Sequence, residues 1–276
     1  MSQPMLTLND GSSIPQLGFG TWQTPEEKAA AAVAAALAAG YRLIDTAAIY
    51  GNEVGVGEGI RASDVPREDI FVTTKLWNSQ QGYDETLRAY DESLRRLKLD
   101  HVDLYLIHWP MAHRGRYLDS WRALVTLKKE GRVRSIGVSN FQKAHLQQAM
   151  DETGVVPAVN QIELHPYFQQ RAMRAFHAQH GIVTESWSPI GQGGALLRDE
   201  KVLRIAQKHG KTAVQIVLRW HLENGLIAIP KTVHAERARE NFNVFDFRLD
   251  SEDMAALNSL DNPKGRLGPD PDTANF

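Results

Sequence analysis

Between residues 43 and 229, short apolar runs rich in β-branched residues alternate with longer segments of helical apolar spacing, and this alternation constrains the fold more than any other feature. The runs are Leu43-Ile44, Ile70 to Thr73, Val102 to Ile107, Val133 to Val138, Ala158 to Ile162, Ile182 to Glu185 and Leu226 to Ile229. Helical spacing occurs in Tyr83 to Leu99, Ser120 to Glu130, His145 to Glu152, Gln170 to His180, Val202 to His209 and Ala213 to Glu223. Strand and helix in alternation imply parallel strands covered by helices, because each crossover must return the chain to the same sheet edge. With Phe19 counted, about eight units in roughly 250 residues fit a closed (β/α)8 TIM barrel. An open doubly wound sheet would carry a Gly-rich fingerprint after an early strand. Gly18-Phe19-Gly20-Thr21-Trp22-Gln23 lacks its third glycine.

Ahead of the barrel, Met5 to Leu8 and Ile14 to Leu17 flank Asn9-Asp10-Gly11 and predict a β-hairpin that plugs one end. Pro25-Glu26-Glu27 opens an alanine-rich helix that closes at Gly40, and its small side chains let it sit close to a sheet. Asn262 to Phe276, rich in Pro, Gly and Asp, predicts an irregular C-terminal tail. No linker-like run interrupts the chain, so residues 1–276 read as a single domain. A formal net charge of −2 argues against a protein built mainly to bind nucleic acid or an anionic membrane. The absence of cysteine excludes disulfides, thiolate nucleophiles and Cys-ligated metal. The start Met1-Ser2-Gln3-Pro4 has no basic region followed by an apolar run, and no apolar stretch is long enough to span a bilayer. A cytoplasmic location is expected, and a monomer, since no heptad or long apolar edge demands a partner.

In a barrel, polar residues just after the carboxyl ends of strands converge on one mouth. Asp45 and Tyr50 follow one predicted strand, Lys75 the next and His108 the one after. Singly they have ordinary structural readings: a helix cap, a rim aromatic, a solvated charge and a core imidazole. Together they make a proton-transfer set. A nearby ammonium lowers the affinity of a phenol for its proton, and a carboxylate keeps that ammonium charged and oriented. His108 can hydrogen-bond a substrate oxygen, which suits protonation of a carbonyl while hydride arrives from elsewhere. No side chain donates hydride, so a cofactor is required.

The segments Gly40-Tyr41-Arg42-Leu43-Ile44-Asp45-Thr46-Ala47, Thr74-Lys75-Leu76-Trp77, Asp103 to Pro110, Ser135 to Phe141 and Ile229-Pro230-Lys231-Thr232 carry a resemblance to the aldo-keto reductases, within them the bacterial 2,5-diketo-D-gluconate reductase type. The resemblance covers nearly the whole chain. It implies NADPH as cofactor, a small carbonyl compound as substrate, and Asp45, Tyr50, Lys75 and His108 as the catalytic four, with Tyr50 the general acid. It further implies that Ser139, Asn140 and Gln161 bind the nicotinamide amide and that Trp187, where many relatives carry tyrosine, stacks on the ring. Ser188, Pro189, Gly191 and Gln192 belong to a glycine-bearing loop that could pass over a pyrophosphate. Lys231, Thr232, Val233 and Arg237 are expected at an extra phosphate, and Glu240 and Asn241 at adenine. Trp22, Trp77 and Trp109 are expected as apolar walls of the substrate pocket. The short loop Met111 to Asp119 suggests an open mouth.

Two other readings stay open at this level. A strand-end lysine can form a Schiff base, so Lys75 allows an aldolase. Some barrels of this family bind nicotinamide yet serve partners, which allows a regulatory subunit. A zinc hydrolase is disfavoured, because His108 and His113 lack ligand companions. The substrate, whether diketogluconate, methylglyoxal or another small carbonyl, is not legible.

Overall fold

A computed structural model describes residues 3–276. The chain opens with strands β1 (Met5–Thr7) and β2 (Ser13–Pro15), paired antiparallel with Leu6 opposite Ile14. Eight strands follow: β3 (Phe19–Gly20), β4 (Leu43–Asp45), β5 (Phe71–Leu76), β6 (Leu104–Ile107), β7 (Ser135–Ser139), β8 (Val159–Glu163), β9 (Val183–Trp187) and β10 (Ile227–Ala228). Each pairs parallel with its neighbour in chain order. Single parallel bridges, Leu17 to Ala228 and Gly20 to Lys231, join the first strand to the last. The amide of Gly18 donates to Ala228 O at 2.9 Å and that of Gly20 to Pro230 O at 3.0 Å, so the sheet closes on itself as a (β/α)8 barrel.

The helices are α1 (Glu26–Ala39), α2 (Glu53–Arg61), α3 (Tyr83–Leu97), α4 (Tyr117–Lys129), α5 (Lys143–Thr153), α6 (Arg171–His180), α7 (Glu200–His209), α8 (Ala213–Glu223), α9 (Ala235–Phe242) and α10 (Ser251–Asn258). A large apolar cluster lies between them and the sheet, and a smaller one fills the barrel interior. The interior cluster contains Leu8 and Ile14 from the hairpin with Leu43, Phe71, Leu104, Val159 and Ile227, the first residues of their strands. The predicted plug therefore sits at the amino ends of the strands, leaving the carboxyl ends open for chemistry.

Three helices, α2, α9 and α10, have no counterpart among the periodic segments read from the sequence. In α2 the reason is composition: Gly55, Gly57 and Gly59 in one short helix each disfavour it by roughly 1 kcal/mol relative to Ala. Packing overrides that cost. A Cβ at Gly55 would come within 2.8 Å of Glu26 O, and one at Gly59 within 2.6 Å of Ala30 O and 2.8 Å of Val33 Cβ. The alanines of α1 thus meet a glycine face of α2, and the small residues of both helices permit the approach. Gly59→Ala should destabilise the protein by about 1–3 kcal/mol through overpacking, against a helix-propensity gain of about 1 kcal/mol. Denaturant unfolding checks this, and a stabilised variant would contradict the contact.

Candidate active site

A cleft of about 860 Å³ opens at the carboxyl ends of the strands. Asp45 ends β4, and its carboxylate is buried with the ammonium of Lys75 from the adjacent β5. Lys75 Nζ donates to Asp45 Oδ1 at 2.6 Å, to Thr46 O at 2.8 Å and to the Tyr50 hydroxyl at 3.5 Å. Gln161 Nε2 on β8 donates to the other oxygen, Asp45 Oδ2, at 2.8 Å. The segment carrying Tyr50 is pinned by a short network: Thr21 Oγ1 donates to Asp45 O, Thr46 Oγ1 to Asn52 Oδ1 and Asn52 Nδ2 to Thr21 O. A single helical turn, Ala48–Tyr50, ended by Gly51 at φ 67°, then lifts Tyr50 into the cleft. The His108 ring lies edge-on to Tyr50 at 5.6 Å and to Trp77 at 5.3 Å.

Burial and charge set the protonation states. Burial works against the charge on Lys75, but Asp45 and Tyr50 together hold its proton affinity above the ordinary lysine value. Burial raises the Asp45 carboxyl against the pull of Lys75 and Gln161. For His108, burial and then Lys75 push the imidazole well below its usual range, so it is neutral at pH 7. Tyr50 departs from expectation. Lys75 does favour its phenolate, yet burial outweighs that pull and, with Asp45 opposing Lys75, pushes the phenol up to about 12.

The cleft gathers most of the residues singled out in the sequence: Asp45, Tyr50, His108, Ser139, Asn140, Gln161, Trp187, Ser188, Pro189, Gln192, Lys231, Arg237, Trp22, Trp77 and Trp109 all line it. Lys75 lies beneath, fully buried, with its ammonium hydrogens committed to Asp45, Thr46 and Tyr50. That placement disfavours attack on a carbonyl and with it the aldolase reading. Gly191, Thr232, Val233, Glu240 and Asn241 fall outside the lining. Thr232 is nearly buried, its hydroxyl accepting from His234 N at 3.1 Å, and Asn241 is buried on α9.

Asn140 spends both amide hydrogens and one of its two oxygen lone pairs within the protein. Its amide nitrogen donates to His108 O and Ser139 Oγ, and its oxygen accepts from Trp187 Nε1 at 2.8 Å. Gln161 spends its nitrogen on Asp45 and keeps its carbonyl oxygen without a protein partner. Among the described residues, the non-glycine positions with positive φ include Gln23, Asn140, Ser188 and Gln192, all at the cleft. Such backbone strain concentrates at ligand sites, where surrounding structure enforces it.

The tail supplies a wall that the sequence left undefined. Glu163, buried at the end of β8, accepts from Leu267 N at 2.6 Å and Gly268 N at 2.9 Å. Gly268 packs on Trp187 so closely that a Cβ would meet the indole at 2.5 Å. Phe276 stacks on Trp77 at 6.0 Å and meets Trp109 edge-on at 5.2 Å. The mouth is therefore narrowed by the tail, whatever the length of the loop from Met111 to Asp119. Gly268, Pro269 and Phe276 are lining residues for which the local sequence gave no chemical signal.

The donor set fits a phosphate-bearing dinucleotide. Lys231 reaches only the backbone oxygen of Gln23, at 3.2 Å, and neither it nor Arg237 has a carboxylate partner among the described residues. Burial and the neighbouring Lys28 lower the Lys231 ammonium, as expected for cations awaiting an anion.

A profile of the aldo/keto reductase family matches residues 16–262. An aldo-keto reductase of Mycolicibacterium smegmatis is 57% identical over 273 residues, covering 99% of this chain and 98% of the relative. A methylglyoxal reductase DkgA of Yersinia pestis is 54% identical over 271 residues, covering 98% and 97%. The crystal structure of a mutant of Gox0644 in complex with NADPH superposes with a TM-score of 0.96 at 54% identity, covering 100% of both chains.

The ion pair beneath Tyr50 gives a direct stability test. Lys75→Met would leave the buried Asp45 carboxyl without its counterion, so that it must take up a proton or stand unpaired, and should cost about 3–5 kcal/mol at neutral pH. Adding Asp45→Asn should return part of that loss in denaturant unfolding. Additive losses would mean that the pair is not coupled as the geometry indicates.

Proposed function

The chain belongs to the aldo/keto reductase family, whose enzymes are NADP-dependent carbonyl oxidoreductases, and from that premise we propose that Tyr50 protonates the carbonyl oxygen of a small aldehyde, ketone or keto sugar as the carbon is reduced. The observation that carries this reading is the Tyr50 hydroxyl in the cleft, 3.5 Å from a lysine that Asp45 holds charged. NADPH, when bound, supplies the hydride. The remaining work falls to the chain's own groups. The Tyr50 phenol keeps its proton at neutral pH and gives it to the oxygen on which negative charge develops. Lys75 then stabilises the phenolate left behind. Neutral His108, beside Tyr50, offers a hydrogen bond that fixes the substrate oxygen without competing as an acid.

Gln161, through its free carbonyl oxygen, is assigned to the nicotinamide carboxamide, with Ser139, whose hydroxyl donates to Gln161 O at 2.8 Å, and Asn140, which holds the edge of the Trp187 indole, beside it. Lys231 and Arg237 are assigned to the phosphate that distinguishes NADPH from NADH. Thr232 and Val233 shape the turn between those two cations, and Glu240 and Asn241 on α9 are assigned to the adenine end. Trp22, Trp77 and Trp109 give the substrate side apolar walls that suit a small carbonyl compound, with polar contacts left to Tyr50 and His108. The named activity of the Yersinia pestis relative makes methylglyoxal the first compound to assay, with 2,5-diketo-D-gluconate and simple aldehydes beside it.

Tyr50→Phe should leave NADPH binding nearly intact and lower carbonyl reduction by at least ~100-fold, followed as loss of NADPH absorbance. Retention of most activity would refute Tyr50 as the proton donor. Replacing both Lys231 and Arg237 with Ala should weaken NADPH by about a hundredfold or more while changing NADH far less. Equal losses for the two cofactors would show that these cations do not read the extra phosphate.

A further inference from the structure

Glu185 lies on β9 between Val183, which packs on the apolar barrel interior, and Trp187, which lines the cleft. Alternation along a strand therefore turns all three side chains inward. Its neighbours in register are Gln161 on β8 and Ile227 on β10. The side chain is fully buried, and neither carboxyl oxygen has a hydrogen-bond partner of its own: the nearby Gln161 amide, which pulls its proton affinity down somewhat, is committed to Asp45 at 2.8 Å. The charged groups it feels are Asp45 on β4 and Lys75 on β5. Tyr50, after β4, and Lys75 feel it in return. Gln161 is uncharged, and the interior residues of β6 and β10 are apolar. The cluster thus holds one cation and two carboxyl groups, and the cation is already bound to Asp45 at 2.6 Å. A second carboxylate in that enclosure would have neither solvent nor a counterion, so one of the two carries a proton.

We propose that Glu185 is a positioning residue for the Tyr50 proton: it sits neutral beneath the Lys75–Asp45 pair during turnover, and its ionisation adds a negative charge that holds the proton on Tyr50. The inference rests on Tyr50 being the proton donor. Burial first, and then Asp45, push the Glu185 carboxyl up to about 8, which brings its titration into the working range of an enzyme. With Glu185 neutral, the charges of Lys75 and Asp45 balance and Tyr50 can release its proton. With Glu185 ionised, the net charge below the phenol is negative and release is opposed.

The sign of the stability linkage is fixed by the same shift. The folded carboxyl keeps its proton up to about 8, whereas the ordinary value is 4.5, so stability present at acid pH is lost as pH rises through that window. Two measurements on the holoenzyme with NADPH and the intact chain test the proposal. In the wild type, kcat for carbonyl reduction should fall about tenfold between pH 7 and pH 9, and in Glu185→Gln the fall should move to higher pH. The melting temperature of Glu185→Gln relative to wild type should rise steadily from pH 5 to pH 8. A purely structural role would shift melting by a constant amount and leave the two kcat profiles parallel. Superimposable profiles overturn the inference, as does a constant melting difference. Should the glutamine variant fail to fold, Glu185→Met, similar in volume, takes its place in both measurements. The melting series needs no turnover, so it judges Glu185 separately from the Tyr50 assignment, which fails instead on an active Tyr50→Phe.

Discussion

The ion pair of Asp45 and Lys75 is the interaction on which the site depends. Removing two charges from water is costly, and a buried pair repays that cost only when its remaining hydrogen-bonding capacity is met. Here it is met. Asp45 takes Lys75 on one oxygen and Gln161 on the other, while Lys75 also donates to Thr46 O. The partners come from β4, β5 and β8, so the pair links strands on different parts of the barrel wall and ties the position of Tyr50 to barrel closure. A local slip in β4 or β5 would move a charge away from its counterion. The fold and the chemistry are in this sense specified by the same contact.

The barrel explains why these residues can meet. Parallel strands in chain order bring every strand's carboxyl end to one rim, so residues 45, 108, 139, 161, 187 and 231 share a cleft, with Lys75 just beneath it, despite their separation in sequence. The hairpin seals the other rim with Leu8 and Ile14. Access is then confined to one side. On that side the tail, drawn in by the Glu163 carboxylate, sets Gly268 against Trp187 and Phe276 between Trp77 and Trp109. The residues that shape the substrate end thus include some from a segment with no regular structure of its own.

What the sequence disclosed and what it concealed follow the same physical division. Periodicity located the parallel strands, and strand-end polarity located Asp45, Tyr50, Lys75 and His108, because both are local properties of the chain. The helix α2 was illegible because Gly55, Gly57 and Gly59 oppose helix locally and are accepted only through close contact with α1 at Gly55 and Gly59 and with Leu97 of α3 at Gly57. Gly268 and Phe276 were illegible as lining residues because their roles come from distant partners, Glu163 for the first and Trp77 and Trp109 for the second. Glu185 was read only as the end of a strand. A carboxylate closing an apolar run signals a rim residue, and only the barrel's inward alternation reveals it as a buried group beside Lys75 and Asp45.

The proton affinity of Tyr50 is the point on which sequence logic and geometry part most usefully. A lysine at 3.5 Å suggests a phenol made more acidic, yet burial and Asp45 leave it less acidic than free tyrosine. For a reductase this is no defect. A phenol readily ionised at neutral pH would lose its proton to solvent before reduction began. The alkoxide generated when hydride reaches a carbonyl is a far stronger base than any phenolate, so transfer from Tyr50 is downhill once that charge forms. Lys75 then contributes where it matters, after the proton has left, because its attraction for Tyr50 grows only when the phenolate appears. The site is arranged to hold the proton until the carbonyl oxygen asks for it, and the balance of charge among Asp45, Lys75 and Glu185 determines how firmly it is held.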